Sequence, residues 1–220
     1  MKARIFDDAD AVAAAAADLV SEALREGAER LVLAGGTTPK LAYRLLQPGP
    51  GWARATVLFG DERCVGPEDP ESNFAMAEQE LLSRVHPASV HRIAGELGAE
   101  EAAARYGAVL AGTGPLDLVL LGMGEDGHTA SLFPGAPEVG ITGARALAVH
   151  NAPKPPPDRV SLSLETLRAA QRVVFLVTGS DKTDAVLKAS RGEVPSGMVP
   201  GAEYLLDRAA ARLLPEGATA

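Results

Sequence analysis

Asp117-Leu-Val-Leu-Leu-Gly-Met-Gly-Glu-Asp-Gly-His-Thr-Ala-Ser-Leu-Phe-Pro134 runs from an apolar strand straight into a glycine-rich, acidic turn that presents His128. Four consecutive apolar residues with no polar alternation fit a strand buried on both faces, as in a parallel sheet covered by helices. Gly122, Gly124 and Gly127 let the chain turn sharply and come close to a ligand, and Asp126 lies two positions from the imidazole it can orient. A titratable ring at the C-terminal exit of such a strand is where α/β proteins build their chemistry.

The same device recurs along the chain. Arg30 to Ala34 reads as a strand leaving into Gly35-Gly36-Thr37-Thr38-Pro39, Thr56 to Phe59 into Gly60-Asp61-Glu62-Arg63, and Arg172 to Val177 into Thr178-Gly179-Ser180-Asp181-Lys182. Strand exits of an open parallel sheet lie along one edge, so these loops share a pocket. Gly35, Gly36, Thr37, Asp61, Arg63, Asp126, His128 and Lys182 are thereby gathered from distant sequence.

Between the strands, helical spacing predicts helices over Asp10 to Arg25 with Gly27 as the stop, from Thr38 as N-cap and Pro39 through Leu46, over Ser72 to Val85, and over Glu100 to Leu110. A further helix follows Lys182 to about Ser190. Ala146 to His150 and Val160 to Leu164 read as extended, joined by a stiff Lys154-Pro-Pro-Pro157 loop. Tyr204 to Leu206 and Arg208 to Leu214 read as a last strand and helix. The class is α/β, and 220 residues with 46% hydrophobic but 4% aromatic content suit one domain, residues 1–220, with an interior of Ala, Val and Leu.

A formal net charge of −8 argues against nucleic acid and anionic membrane as partners, while a few converging cations can still hold a small anion. Cys64 is the single cysteine, so no intrachain disulfide forms and a reducing compartment is compatible. The N-terminus lacks a signal-like apolar run and no stretch reaches spanning length, so the expectation is a cytoplasmic protein, as a monomer or small homo-oligomer.

Several chemistries compete at these loops. Gly122 to Gly127 fits G-x-G-x-x-G, yet Glu125 and Asp126 would repel a pyrophosphate and Phe133-Pro134 cuts short the helix that should hold it. The Gly35 to Pro39 loop is either a capped helix start or a phosphate cradle of free amides; Lys182 at another helix start on the same edge favours phosphate, with Arg63 and Arg159 as further donors. A core role for His128 fits poorly with its polar surroundings, and a metal site would need Asp61, Glu62 and Asp126 without any His-rich spacing. Ser131 lacks a nucleophile elbow; Cys64 follows Arg63, which could lower its pKa, but reads better as a small semi-buried thiol. The remaining reading is His128 as a general base.

Taken together, Leu33-Ala-Gly-Gly-Thr-Thr-Pro39, Gly60-Asp-Glu-Arg63, Glu71-Ser-Asn-Phe74, Gly122 to Pro134, Arg159-Val-Ser-Leu-Ser-Leu164 and Thr178-Gly-Ser-Asp-Lys182 make the chain resemble the 6-phosphogluconolactonases, within the wider glucosamine-6-phosphate isomerase-like superfamily. The resemblance spans nearly the whole chain. It implies a three-layer, Rossmann-like, mainly parallel sheet with helices on both faces, and cofactor- and metal-independent hydrolysis of a sugar-phosphate lactone. Carried over, it implies His128 as the catalytic histidine with Asp126 beside it, and Gly35, Gly36, Thr37, Asp61, Arg63, Asn73, Arg159 and Lys182 as substrate-binding positions. The related deaminases usually continue the Asp-Gly-His turn as Ile-Ala-Phe-Asn-Glu-Pro, where Phe133 stands here for the acid, and carry a tyrosine where this chain has Arg63. Those departures favour the lactonase, while Asp61 keeps a deaminase open as an alternative. A non-catalytic sugar-phosphate-binding regulator would keep the phosphate loops and lose His128.

Overall fold

The apolar runs Leu31-Val-Leu33, Val57-Leu-Phe59, Leu118-Val-Leu-Leu121 and Val173 to Val177 are buried along their whole length, which requires cover on both faces of the sheet they form. A computed structural model describes residues 1–215. Its strands are β1 (Lys2–Phe6), β2 (Arg30–Leu33), β3 (Thr56–Phe59), β4 (Asp61–Arg63), β5 (Ser89–Val90), β6 (Leu118–Leu121), β7 (Ala146–Val149), β8 (Arg159–Leu162), β9 (Arg172–Val177) and β10 (Glu203–Asp207). Its helices are α1 (Ala9–Glu26), α2 (Thr37–Leu45), α3 (Asn73–Ala77), α4 (Ser83–Val85), α5 (Ala99–Thr113), α6 (Leu164–Arg168) and α7 (Thr183–Ser190).

Seven strands form one parallel sheet in the order β1-β10-β9-β6-β2-β3-β5, and β4-β8-β7 form a separate antiparallel sheet. From β2 the chain winds outward through β3 to β5, then returns to β6 and winds the other way. The crevice between β2 and β6 is therefore the topological switch point, where open α/β sheets hold their ligands. Two buried tyrosines fix strand exits: Tyr43 Oη donates to Ala34 O and accepts from Ala34 N, and Tyr106 does the same at Phe59, all at 2.7–2.9 Å.

Most expected elements form within a residue or two of their predicted limits, and the differences have local causes. Helix α1 is capped by Asp8, whose carboxylate accepts from Ala11 N at 2.9 Å, and it ends at Gly27 with φ 102°. Helix α2 does not use Thr38 as its cap. Gly36, at φ 103°, turns the chain one step earlier, so Thr38 lies inside the first turn and its hydroxyl pairs with Thr178 Oγ1 at 2.7 Å. The helix expected over Ser72 to Val85 is capped by Ser72 but is interrupted by a π turn over Glu78–Leu82. Strand β1 pairs with β10 although the sequence reading left it out, and the expected helix over 208–214 is a series of turns, with Asp207 Oδ1 accepting from Ala210 N. Among the described residues no helix is long and apolar enough to cross a membrane.

Candidate active site

A cavity of about 450 Å³ opens at the switch point. The turns after β2, β6 and β9 line it through Gly35, Gly36, Thr37, His128 and Lys182, and the antiparallel sheet adds Asp61, Arg63 and Arg159. Asn73 lines it from the start of α3. The sheet-edge reading thus gathers the expected residues into one place, except that Asp126 stands behind the ring of His128 rather than on the wall.

Beyond β6 the chain turns back on itself, with Gly127 N donating to Gly124 O and Gly124 N to His128 O at 2.9–3.0 Å. Gly127 takes φ +87°, and Gly124 is required for space: a Cβ there would overlap the His128 ring and the Asp126 carboxylate. Asp126 Oδ1 lies 2.6 Å from His128 Nδ1 and also accepts from His128 N at 3.1 Å. Burial pushes the Asp126 carboxyl up, but the bonds from the His128 ring and backbone outweigh it and hold the group down at about 2. An ionised carboxylate only accepts, so Nδ1 carries the hydrogen and Nε2 keeps the free lone pair. Phe133 packs on the imidazole with ring centroids 4.6 Å apart, and the Arg159 guanidinium lies over its ring at 5.7 Å.

The cations are mounted differently. Strand β4, expected as loop, pairs with β8 in the register Asp61↔Ser161, Glu62↔Val160 and Arg63↔Arg159, so the two arginines are direct cross-strand partners. Their mutual repulsion needs fixed countermeasures. Arg159, buried at 3% exposure, spends Nε and Nη2 on the carbonyls of Pro156, Lys154 and Pro155 at 2.7–3.1 Å. Burial and the charge of Arg63 lower its pKa. Arg63 donates Nη1 to Glu71 O at 2.7 Å and leaves Nε without a protein partner. Lys182 sits 2.8 Å from Asp181, with 22% of its side chain exposed.

Sequence reasoning missed the supports. Lys154, from the proline loop, also lines the cavity, and nothing in a proline run signals that it folds back over a pocket. Glu62 is buried and accepts from Ser72 Oγ and from the backbone N–H groups of Arg63, Asn73 and Phe74 at 2.7–2.9 Å, tying α3 to β4. Asn73 Nδ2 in turn donates to Asp61 O and Oδ1, while Ser131 Oγ donates to Asp61 Oδ2 at 2.6 Å. With Asp61 and Glu62 committed in this way, no group of three or more His, Cys, Asp or Glu side chains gathers among the described residues to hold a metal ion. Cys64 is half-buried, in keeping with the reading of a small semi-buried thiol, and burial, with Asp158 and Glu62 nearby, pushes it up to about 11.

Residues 7–208 match the family model for glucosamine-6-phosphate isomerases/6-phosphogluconolactonase. The 6-phosphogluconolactonase of Streptomyces coelicolor is 38% identical over 92% of this chain and 90% of that protein, and that of Mycobacterium tuberculosis 35% over 96% and 97%. The solved 6-phosphogluconolactonase of Trypanosoma brucei superposes with a TM-score of 0.87 at 26% identity, covering 97% of this chain and 98% of that one. The chain therefore belongs to the glucosamine-6-phosphate isomerase/6-phosphogluconolactonase family.

Proposed function

We propose that this protein hydrolyses 6-phospho-D-glucono-1,5-lactone to 6-phospho-D-gluconate, the second step of the oxidative pentose phosphate pathway. The observation that carries the reading is an imidazole whose Nδ1 is committed to Asp126, set in a cavity walled by Arg63, Lys154, Arg159 and Lys182 on a chain of net charge −8. A δ-lactone is an activated ester, so a positioned water, a base and a donor for the oxyanion suffice. His128 Nε2 takes a proton from water as its oxygen bonds to C1, and the carbonyl oxygen gains the charge. Collapse breaks the bond from C1 to the ring oxygen, which leaves with the proton returned by His128. Asp126 keeps the ring in the required tautomer and stabilises the imidazolium between the two transfers. Gly36, Thr37, Arg63, Arg159 and Lys182 hold the phosphate and sugar hydroxyls, and the pathway and the lone reduced thiol suit a cytoplasmic enzyme.

The assay is hydrolysis of freshly generated lactone in the presence of a chelator. Acceleration above the spontaneous rate is expected, and its absence would overturn the assignment. Ammonia release from glucosamine 6-phosphate separates the deaminase reading. None is expected, because both Asp61 carboxylate oxygens are engaged and the apolar Phe133 fills the space beside His128.

A further inference from the structure

Hydrolysis by water places negative charge on the lactone carbonyl oxygen, and a pre-set N–H close to the base is the most effective group to receive it. We propose that the backbone N–H of Ala130 is that donor, an inference that rests on the lactonase reading and adds a catalytic group to it. The segment after His128 is closed by Thr129 and Leu132, which exchange hydrogen bonds N to O at 3.3 and 2.9 Å. Within it Ser131 N donates to Ser161 Oγ at 3.1 Å, and His128 N is taken by Asp126. Every backbone N–H from His128 to Leu132 is thus spent on the protein except that of Ala130, which has no partner among the described residues.

Burial and backbone conformation single out the same residue. Thr129 and Ser131 are buried at 1% and 0% exposure, while Ala130 between them lines the cavity beside His128. Ala130 takes φ +49°, in the left-handed region that side chains with a Cβ avoid. The tight turn is pinned on both sides, by Thr129 Oγ1 to Gly122 O at 3.0 Å and by Ser131 Oγ to Asp61 Oδ2 at 2.6 Å. An unfavourable backbone state kept rigid at a cavity wall is a common mark of pre-organisation. Two residues of chain span at most about 7 Å, so the Ala130 backbone lies close to that of His128, and both residues line the same cavity. Arg159 already donates to three loop carbonyls, and Lys182 is paired with Asp181.

The direct test replaces Ala130 in the full chain by L-lactate, which turns the N–H into an ester oxygen and keeps the methyl group. We expect kcat to fall by about 10²- to 10³-fold with KM nearly unchanged. The ester also weakens Thr129 O as an acceptor for Leu132 N, so a second ester at Leu132, which deletes that same bond and leaves the Ala130 N–H, serves as control. Equal losses in both would overturn the proposal, as would full activity of the Ala130 ester in a preparation whose wild type is active. An inactive wild type would instead sink the lactonase reading. Should either ester fail to fold, the wild-type protein labelled with ¹⁵N-alanine decides: titration with 6-phosphogluconate, whose C1 carboxylate mimics the oxyanion, is expected to move the Ala130 amide proton downfield. An unmoved Ala130 signal in a titration that shifts the signal of Ala34, which lines the same cavity, would overturn the assignment.

Discussion

The parallel and the antiparallel sheet meet at one cavity but equip it in opposite ways. The parallel sheet contributes His128 through a turn in which Gly124, Asp126, Gly127 and the imidazole all lie within five residues, so its geometry is written locally. The antiparallel sheet contributes Asp61, Arg63 and Arg159 through the pairing of β4 with β8, two segments far apart in sequence. In the first the backbone is bent to free one side chain, whereas in the second charged side chains are buried and tied down. Proton transfer needs an oriented lone pair, and anion binding needs fixed charge, so damage to the two regions should appear in different kinetic constants.

The largest effect belongs to the local turn. His128→Ala is expected to lower kcat by about 10²- to 10⁴-fold with unchanged folding by circular dichroism, and near-normal turnover would remove His128 from the role of base. Gly124→Ala probes the same turn without touching a reactive atom. Its Cβ must displace the His128 ring or Asp126, and a misplacement of about 1 Å costs on the order of 10²-fold in kcat. Equal kcat in Gly124→Ala and wild type would show that the close packing has no catalytic consequence.

This division also explains what was legible in the sequence. Strands β2, β3, β6 and β9 are apolar on both faces and end in glycine or a polar turn, so their exits and the convergence of His128, Lys182 and the Gly35 loop could be read directly. Asp61-Glu-Arg63 has no β character of its own and becomes a strand only against Arg159–Ser161, a partner that local pattern cannot supply. Strand β1 was missed because of its residues only Ala3 is fully buried, so Lys2-Ala-Arg-Ile-Phe6 carries no core signature. Thr38 looked like the better cap by residue type, and Gly36 won because the chain needed a positive φ before the helix. The burial of Glu62 was equally hidden: a carboxylate is bought inside only by donors that tertiary structure brings.

The antiparallel region is probed by comparing Arg159→Ala with Lys182→Ala. Removing Arg159 strips donors from three backbone carbonyls, each costing about 1–3 kcal/mol where water does not replace them, so the melting temperature should fall together with a rise in KM. Among the described residues Lys182 is paired only with its neighbour Asp181, and its removal is expected to raise KM about tenfold or more at unaltered melting temperature, with the effect shrinking in high salt. A stability loss for Lys182→Ala equal to that for Arg159→Ala would erase the contrast between a cation bonded to the backbone and one paired with a neighbouring side chain.

The smallest effect is the pH response of the turn itself. The Asp126 carboxyl is depressed from 3.8 to about 2 in the folded protein, so the folded state binds its proton less readily than the unfolded chain does. A depressed acid contributes stability that is fully present above the unfolded value and is lost as pH falls through the folded one, here between about 4 and 2. In acid unfolding, the stability advantage of wild type over Asp126→Asn should therefore shrink as pH falls from about 4 toward 2. The same depression keeps Asp126 ionised wherever the enzyme is assayed, so protonation of this carboxylate cannot produce an acid limb in kcat/KM above about pH 4. If Asp126→Asn removed such a limb while leaving the plateau rate intact, the carboxylate would be titrating in the working range and its role as fixed orienter of Nδ1 would fail.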